Sequence, residues 1–362
     1  MIRLRLLRLF LVAPLISTVA SAPIQRLRDA ADRADILIGA AVRPSLFSEP
    51  AYSETLSREY NMVEPEDAMK WSVVRRSKGI FDFREADEVV NFARAHNMKV
   101  RGHCLVWDHD NPEWLMHSNA SPEDLSRILH DHINTVVKHY SGQVFAWDVV
   151  NEAFDENGRL RDSIWYNQPG IGSSGRYTEY IEQAFRWAHA SDPHALLFYN
   201  DNGGEGLGPK SDAVYAMIKD FQQRHVPIDG IGLQMHLSLK DFDSASVTAN
   251  IARFTALGLQ VHITELDVAL PLSPDSHARA EDLQRQADVY RAVVKGCLNS
   301  PRCTAVQTWG FTDKYSWIGS HSRGAQGAAL PFDRFYQPKS AYDSILSEIS
   351  ARPIPHSSPI AP

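Results

Sequence analysis

Residues 146–154 read AWDVVNEAF, an apolar run that ends abruptly in Asn151 and Glu152. The tryptophan and the paired valines predict a buried β-strand. A strand that finishes in an amide and a carboxylate has two interpretations. Either the pair caps a helix or forms a surface turn, or the strand directs a working carboxylate into a cleft.

The same alternation of short apolar runs and longer helical patterns continues along the chain. Strand-like runs occupy residues 36–42, 60–64, 99–107, 144–150, 196–200, 230–235, 260–264 and 304–309. In the helical segment 121–140, Ser121 is the predicted N-cap and Pro122 stands at the first helical position. Eight strands alternating with helices predict parallel pairing through right-handed crossovers. The count favours an α/β fold of the closed (β/α)8 type, a single-domain TIM barrel, although periodicity alone leaves a doubly wound sheet open.

Residues 1–22 have the layout of a secretory signal peptide. Early arginines precede an apolar run, and small residues ending in TVASA follow it. We therefore expect a secreted protein with cleavage after Ala20 or Ala22, a catalytic barrel over residues 23–350 and a short flexible tail over 351–362. The alternative is an N-terminal membrane anchor, for which the apolar run is short.

Composition limits the classes of function. The 362 residues are 44% hydrophobic and 22% charged, as in an ordinary globular protein, and the formal charge of −7 argues against nucleic-acid binding. Cys297 and Cys303 flank a short segment that contains a proline. In the oxidising compartment that export implies, we expect a disulfide bond between them.

In a TIM barrel, functional side chains lie where strands pass into loops at their carboxyl ends. The ends of the eight runs carry Glu64, Glu66, Asp67, His103, Asn151, Glu152, Asn200, Asp201, Gln234, His236, Glu265, Asp267 and Trp309. Glu152 follows the fourth run and Glu265 the seventh, which would place them across the barrel mouth. Two such carboxyl groups can cleave a glycoside, one as proton donor and one as nucleophile or helper of water. Alternatively, Glu152 caps a helix and Glu265 makes a core ion pair.

Neighbouring residues fit a sugar ligand. Asn151 is placed to bond a sugar hydroxyl, and His236 to orient the Glu265 carboxylate. Asp267 could in turn hold that imidazole. Indole faces suit pyranose rings, and tryptophans fall at strand ends or in the loops beyond them at Trp107, Trp114, Trp309 and Trp317. Lys70 could donate to sugar hydroxyls, or it is a solvated surface group.

With these residues assembled, the chain resembles family 10 of the glycoside hydrolases, the β-1,4-xylanase barrels. The resemblance covers about residues 30–348, and its segments follow the family's order: GAAV, PEDAMKW, RGHCLVW, WDVVNEAF, YNDN, GIGLQMH, ITELDV, WGFTDKYSW and PFDRFYQPKSAY. It implies an endo-acting enzyme on xylan that uses no cofactor and no metal. We also expect a monomer without stable membrane association.

The resemblance also implies individual roles. Glu152 would be the acid/base and Glu265 the nucleophile of a retaining double displacement. His236 and Asp267 would position the nucleophile. The residues implied to bind substrate are Glu66, Lys70, His103, Trp107, Asn151, Gln234, His236, Trp309 and Trp317.

The sequence departs from the family's pattern in two segments, at four positions of which three are now aspartates. Asp67 stands where the family usually has Asn, and Asp108-His109-Asp110 stands where it usually has His-Ser-Gln. The resemblance assigns these positions to donor-side sugar binding, so we expect altered recognition on that side. We also expect a shifted pH optimum, because a nearby carboxylate changes the pKa of a catalytic carboxyl group.

Three other functions stay open. A metal-dependent hydrolase would use ligands from His103, Asp108, His109, Asp110 and His236. No H-E-x-x-H spacing is present, however, and adjacent loop residues rarely face one ion. A non-catalytic barrel would keep the sugar site without the chemistry. The third function is the same chemistry on another β-1,4-glycan.

Overall fold

A computed structural model describes residues 26–172, 177–240 and 242–353. The predicted signal peptide lies outside these residues, as does the predicted tail beyond residue 353. Within them, eight parallel strands close into one barrel, which confirms the predicted fold. Among the described residues, no helix combines the length and the apolar character that a membrane span requires.

The barrel strands are β1 (Leu37–Val42), β2 (Met62–Pro65), β3 (Lys99–Gly102), β4 (Ala146–Asn151), β5 (Leu196–Asp201), β6 (Gly230–Leu233), β7 (Gln260–Pro271) and β8 (Cys303–Thr308). Each strand pairs in parallel with the next one. The barrel closes where β8 returns to β1, with Leu37 opposite Ala305. The carboxyl ends of all eight strands therefore meet at one mouth.

One long helix follows each strand: α1 (Pro50–Glu59), α2 (Arg84–Ala95), α3 (Pro122–His139), α4 (Glu179–Ser191), α5 (Pro209–Gln223), α6 (Ser244–Ala256), α7 (Ala280–Leu298) and α8 (Ser340–Ala351). A further helix, Leu27–Ala34, precedes the barrel and packs against α8. Short helical turns at Pro44–Leu46, Trp71–Val74, Glu113–Met116 and Ile318–His321 lie in the loops.

The start of α3 shows how local sequence fixes an element. Ser121 Oγ accepts from the N–H of Asp124 at 3.2 Å, and the Asp124 carboxylate reaches back to the N–H of Ser121. This capping box satisfies two N–H groups that a helix leaves free, and Pro122 has none to satisfy. Ser121 is thus the N-cap that the sequence predicts.

Two strands differ from the apolar runs that predict them. The third run divides, because β3 ends at Gly102 and the chain pairs with β4 again only at Val106–Trp107. A side chain at Gly102 would lie 2.2 Å from the Trp147 ring, so glycine allows the close approach of β3 and β4. The seventh run continues to Pro271, where β7 also pairs with Gln326–Gly327.

The Cys297–Cys303 disulfide is present, as the sequence predicts. It joins the last turn of α7 to the first residue of β8. Cys104 is the remaining cysteine, and it is a buried free thiol.

Candidate active site

Glu152 directly follows Asn151, the last residue of β4, and its backbone has a positive φ of 55°. A non-glycine residue in this left-handed region is strained by about 1 kcal/mol or more. Two hydrogen bonds hold it there: its N–H donates to Asn200 O at 2.9 Å, and its carbonyl accepts from Arg161 Nε at 3.2 Å. The next long helix begins only at Glu179, so Glu152 is not its cap.

Two donors hold the Glu152 carboxylate. Its Oε1 accepts from Gln234 Nε2 at 2.9 Å, and its Oε2 accepts from Trp107 Nε1 at 3.1 Å. Burial raises the pKa of Glu152, but these hydrogen bonds and the charges of His103 and His109 outweigh it and lower the pKa overall. The site without substrate therefore favours an ionised Glu152.

Glu265 lies within β7 and is 4% exposed. Its Oε1 accepts from Asn200 Nδ2 at 2.8 Å, and its Oε2 lies 3.1 Å from His236 Nε2. The other ring nitrogen of His236 lies 3.0 Å from Asp267 Oδ2, which also accepts from Trp317 Nε1 at 2.8 Å. The ion pair that Glu265 makes is thus with another residue of the barrel mouth.

The His236 imidazole carries a positive charge between two carboxylates. Burial lowers the pKa of His236, but the charge of Asp267 and the hydrogen bonds to Asp267 and Glu265 raise it well above the usual range. Both ring nitrogens then donate, one to each carboxylate. This arrangement fixes the ring and places a donor against one oxygen of Glu265.

Asn200, at the end of β5, joins the two halves of the site. Besides its bond to Glu265, Nδ2 donates to Asn151 Oδ1 at 2.9 Å. Thr264 Oγ1 donates to Asn200 Oδ1 at 2.7 Å, which fixes the orientation of the amide. The sequence places Asn200 among the polar strand ends but assigns it no role, because nothing in the motif YNDN indicates which strands the amide bridges.

Lys70 and three indoles form the walls around the carboxyl groups. Lys70 Nζ lies 4.9 Å from the Trp107 ring and 5.8 Å from the Trp309 ring. Trp309 lies edge-on to His103, and Trp317 lies edge-on to His236. The indoles are half-buried, so part of each ring surface is open to a ligand.

The loop after β2 has its own pair of ion pairs. Glu66 accepts from Arg43 Nε at 2.7 Å, and Asp67 Oδ1 lies 2.8 Å from Lys70 Nζ. Burial lowers the pKa of Lys70, but Asp67 outweighs it and raises the pKa overall. Asp67 therefore binds the ammonium group that the sequence assigns to sugar hydroxyls.

Asp108 and Asp110, the other two unusual aspartates, have partners different from that of Asp67. Asp110 accepts from the N–H of Ser72 at 3.0 Å and caps the Trp71–Val74 turn. Asp108 lies on the Glu152 side and lines a cavity of about 840 Å³ with the loop that includes Arg161. The segment is a turn that points these carboxylates in different directions. The three aspartates therefore have different neighbours, and the altered donor-side recognition expected from them stays a prediction.

The structure also bears on the expected position of Trp114 and on the metal-dependent alternative. Trp114 lies in the Glu113–Met116 turn and donates to Arg75 O at 3.0 Å, outside the walls described above. Among the described residues, the donor atoms close enough to hold a metal ion belong to Glu64, His103 and Glu265. The ligand set of the metal-dependent alternative therefore does not assemble.

The structure brings together most of the residues that the sequence singles out. Those gathered around the two carboxyl groups are Lys70, His103, Trp107, Asn151, Glu152, Gln234, His236, Glu265, Asp267, Trp309 and Trp317. Glu66 stands at the edge of this group, beside Asp67. The mouth can thus offer two carboxyl groups, hydrogen-bond donors and flat apolar faces to one ligand.

Comparison with known proteins identifies the family to which this architecture corresponds. Residues 26–348 match the profile of "Glycosyl hydrolase family 10". Endo-1,4-beta-xylanase B of Thermotoga neapolitana is 42% identical over 322 residues, which cover 88% of this chain and 90% of that protein. An endo-1,4-beta-xylanase of Agaricus bisporus is 38% identical over 288 residues, covering 80% and 83%. The crystal structure of xylanase 10B from Thermotoga petrophila with xylobiose superposes with a TM-score of 0.86 at 40% identity, covering 91% of this chain and 98% of that one.

Proposed function

This chain belongs to glycosyl hydrolase family 10, and from that premise we propose that it is a retaining endo-β-1,4-xylanase that cleaves internal bonds of xylan. Glu152 is the acid/base and Glu265 the nucleophile. The observation that carries this assignment is a hydrogen-bond network that both carboxyl groups share. In it, Asn151 Oδ1 accepts from the side-chain amides of both Asn200 and Gln234. Each of those amides also donates to one of the carboxylates.

In the first step, a Glu265 oxygen attacks the anomeric carbon of the sugar between the two carboxyl groups. The glycosidic C–O bond breaks, and the Glu152 proton passes to the departing oxygen. His236 and Asn200 hold the Glu265 carboxylate for this attack, and preorganised donors of this kind need no rearrangement during the reaction. The product of the step is a glycosyl ester on Glu265.

In the second step, Glu152 removes a proton from water, which attacks the anomeric carbon and releases Glu265. Glu152 must therefore be protonated before the first step and ionised for the second. A sugar that excludes water raises its pKa, because burial disfavours the charged form. The donors Gln234 and Trp107 then favour the ionised form once the ester has removed the charge of Glu265.

Two variants and two substrates separate the proposed roles. An aryl β-xylobioside with an activated phenol needs little acid assistance, whereas xylotetraose must leave as a sugar. Glu152→Ala is expected to lose about 10²- to 10⁴-fold in kcat/KM on xylotetraose and much less on the aryl substrate in the first step. Glu265→Ala is expected to lose activity on both.

The matched control is Glu281→Ala, which replaces an exposed glutamate on α7. It should leave both substrates unaffected. Equal behaviour of Glu152→Ala on the two substrates would overturn the acid/base assignment. A wild-type protein that releases no new reducing ends from linear xylan would overturn the function itself and favour a non-catalytic sugar-binding role.

Export is the remaining part of the proposal. The layout of residues 1–22 supports removal of a signal peptide, and the Cys297–Cys303 disulfide is of the kind that persists in oxidising compartments. Sequencing the N-terminus of the mature protein tests this. An N-terminus at Pro23 or Ser21 would match the expected cleavage, and retention of Met1 would contradict it.

A further inference from the structure

Glu64 on β2 is a third carboxyl group at the catalytic centre. It is 0% exposed, and its carboxyl oxygen lies in a group with donor atoms of His103 and Glu265 that are all within 4.8 Å of one another. Glu64 therefore lies in the same buried cluster as the proposed nucleophile. The mechanism above gives Glu64 no task.

The hydrogen bonds around Glu64 are few for an ionised group. Gln307 Nε2 donates to Oε2, whereas Oε1 has no hydrogen-bond partner among the described residues. His103 Nδ1 lies 3.3 Å from this Oε1 but makes its hydrogen bond with Asp148 Oδ2 at 3.0 Å. A buried carboxylate with one bare oxygen is costly, whereas a protonated oxygen places no charge there.

Among the described residues, Arg101 is the arginine that contacts Glu64, and it is committed to another carboxylate. Arg101 forms a two-point ion pair with Asp148, and its Nε stays 3.6 Å from Glu64 Oε2. Its remaining Nη1 lies 2.9 Å from His262 Nδ1. Arg101 and His103 are thus the cationic neighbours of both carboxyl groups, and both lie closer to Asp148. Glu64 keeps the more distant contacts, at 3.6 Å and 3.3 Å.

We propose that Glu64 is a positioning residue that lies beside Glu265 as a neutral carboxylic acid. It lies against the His103 ring, with Oε1 3.3 Å from Nδ1, and leaves the negative charge of the Glu64–Glu265 pair on Glu265. The inference rests on the proposed role of Glu265 as nucleophile. It adds a residue to the site that acts through its neighbours rather than on the sugar.

The groups around Glu64 and Asp148 favour a protonated Glu64 beside an ionised Asp148. Burial and then the charge of Asp148 raise the pKa of Glu64 to about 8, against weaker opposition from His103 and Arg101. Burial also raises the pKa of Asp148, but Arg101 and His103 outweigh it and lower the pKa. Environments that push two carboxyl groups apart in this way assign one as acid and one as anion.

A neutral Glu64 matters because of its distance from the nucleophile. Two ionised carboxylates within 5 Å in a buried site repel each other strongly, and one of them takes up a proton. If Glu64 holds that proton, Glu265 stays charged for attack on the anomeric carbon. The His236 ion pair supports the same state from the other side.

Infrared spectroscopy tests the proton directly and without reference to activity. Burial raises the pKa of Asp201 to about 7, so this carboxyl group contributes to the carbonyl stretch of protonated acids in every variant. That band, recorded at neutral pH, should therefore be weaker in Glu64→Gln than in the wild-type protein by the contribution of one carboxylic acid. Glu59→Gln is the matched control, because it replaces another buried glutamate, which accepts from Tyr342 outside the mouth. Equal spectra for wild type and Glu64→Gln would overturn the proposal whether or not the enzyme cleaves xylan.

Kinetics then test the positioning role. Glutamine keeps the neutral hydrogen-bonding shape, so kcat/KM of Glu64→Gln on aryl xylobioside should stay within about threefold of wild type, with superimposed profiles from about pH 4 to about pH 7. Glu64→Leu fills the space without polar atoms and should lose about tenfold or more. A shifted acid limb in Glu64→Gln would show that Glu64 is an anion. Equal activity of the leucine variant would show that it positions nothing.

Discussion

The side-chain amide of Asn200 donates to Glu265 Oε1 across 2.8 Å, although the two residues belong to β5 and β7 and β6 runs between them. The contact is possible because the intervening strand carries Gly232, whose hydrogen leaves the space open. The proposed nucleophile is therefore held by a residue two strands away. This bridge also reaches Asn151, next to the proposed acid/base.

The first prediction concerns the bridge itself. Asn200→Ala removes a hydrogen bond to a charged carboxylate, a contact that is worth about 1.5–3 kcal/mol. We expect kcat/KM on aryl xylobioside to fall by about 10- to 100-fold. The control is Asn91→Ala, which removes a surface amide of α2 bonded to Arg94 and should leave kcat/KM unchanged. A wild-type rate for Asn200→Ala would show that His236 alone suffices to hold Glu265.

Gly232 offers a second test of the same bridge from the opposite direction. A Cβ at this position would lie 2.1 Å from Asn200 Oδ1 and 2.9 Å from a methyl of Thr264. Gly232→Ala must therefore displace the amide, and we expect an activity loss similar to that of Asn200→Ala. Because both changes break one contact, the double variant should lose little more than either single variant. Fully additive losses would argue against a shared bridge.

His236 leads to a pH prediction. His236→Ala removes the charged donor beside Glu265 and leaves Asp267 with Trp317 as its remaining donor. Loss of a neighbouring cation disfavours the charged form of a carboxyl group, so the acid limb of kcat/KM should move to higher pH. The rate at its optimum should fall by about tenfold or more. His194→Ala, on the exposed surface, is the control, and an unmoved acid limb in His236→Ala would contradict the ion pair.

Much of this site is readable from sequence because a barrel places all carboxyl strand ends at one mouth. Glu152, Glu265, His236 and Asp267 follow from their positions at the ends of apolar runs. Asn200 does not follow, because its role depends on a glycine in another strand that leaves room for the amide.

The residues after Trp107 show what a sequence motif leaves undetermined. A motif comparison groups Asp67, Asp108 and Asp110 by the family positions that they occupy. The structure separates them because a tight turn at 108–110 sends one carboxylate to Ser72 and another to the Glu152 side. Turn direction depends on backbone angles that the sequence does not reveal.

A fourth prediction concerns stability in acid. Glu49 accepts from Lys314 Nζ at 2.7 Å and from the hydroxyls of Tyr315 and Tyr336, which joins the first loop of the barrel to the last. The Lys314 bond, followed by the two tyrosines, lowers the pKa of Glu49 to about 2. The stabilisation is therefore present above the unfolded value of 4.5 and is lost as pH falls toward about 2.

Thermal unfolding checks this linkage. The Tm of Glu49→Gln should lie below that of wild type near neutral pH, and the difference should shrink as the pH falls from 4.5 toward about 2. The control is Glu54→Gln, on the exposed face of α1, whose Tm should equal that of wild type at each pH. A Tm difference that stays constant with pH would show that the effect comes from packing rather than from ionisation.

The last prediction addresses donor-side recognition, where Asp67 alone of the three unusual aspartates contacts Lys70. Asp67→Asn removes the charge that holds the ammonium group and frees Lys70 to bond sugar hydroxyls. Exposed ion pairs are worth up to about 1 kcal/mol, so the ratio of kcat/KM for aryl xylobioside over aryl xyloside should rise about two- to fivefold. Asp212→Asn is the control, because that aspartate is 64% exposed where Asp67 is 63% and pairs with Arg253. An unchanged ratio in Asp67→Asn would show that Lys70 contributes nothing to the second donor sugar.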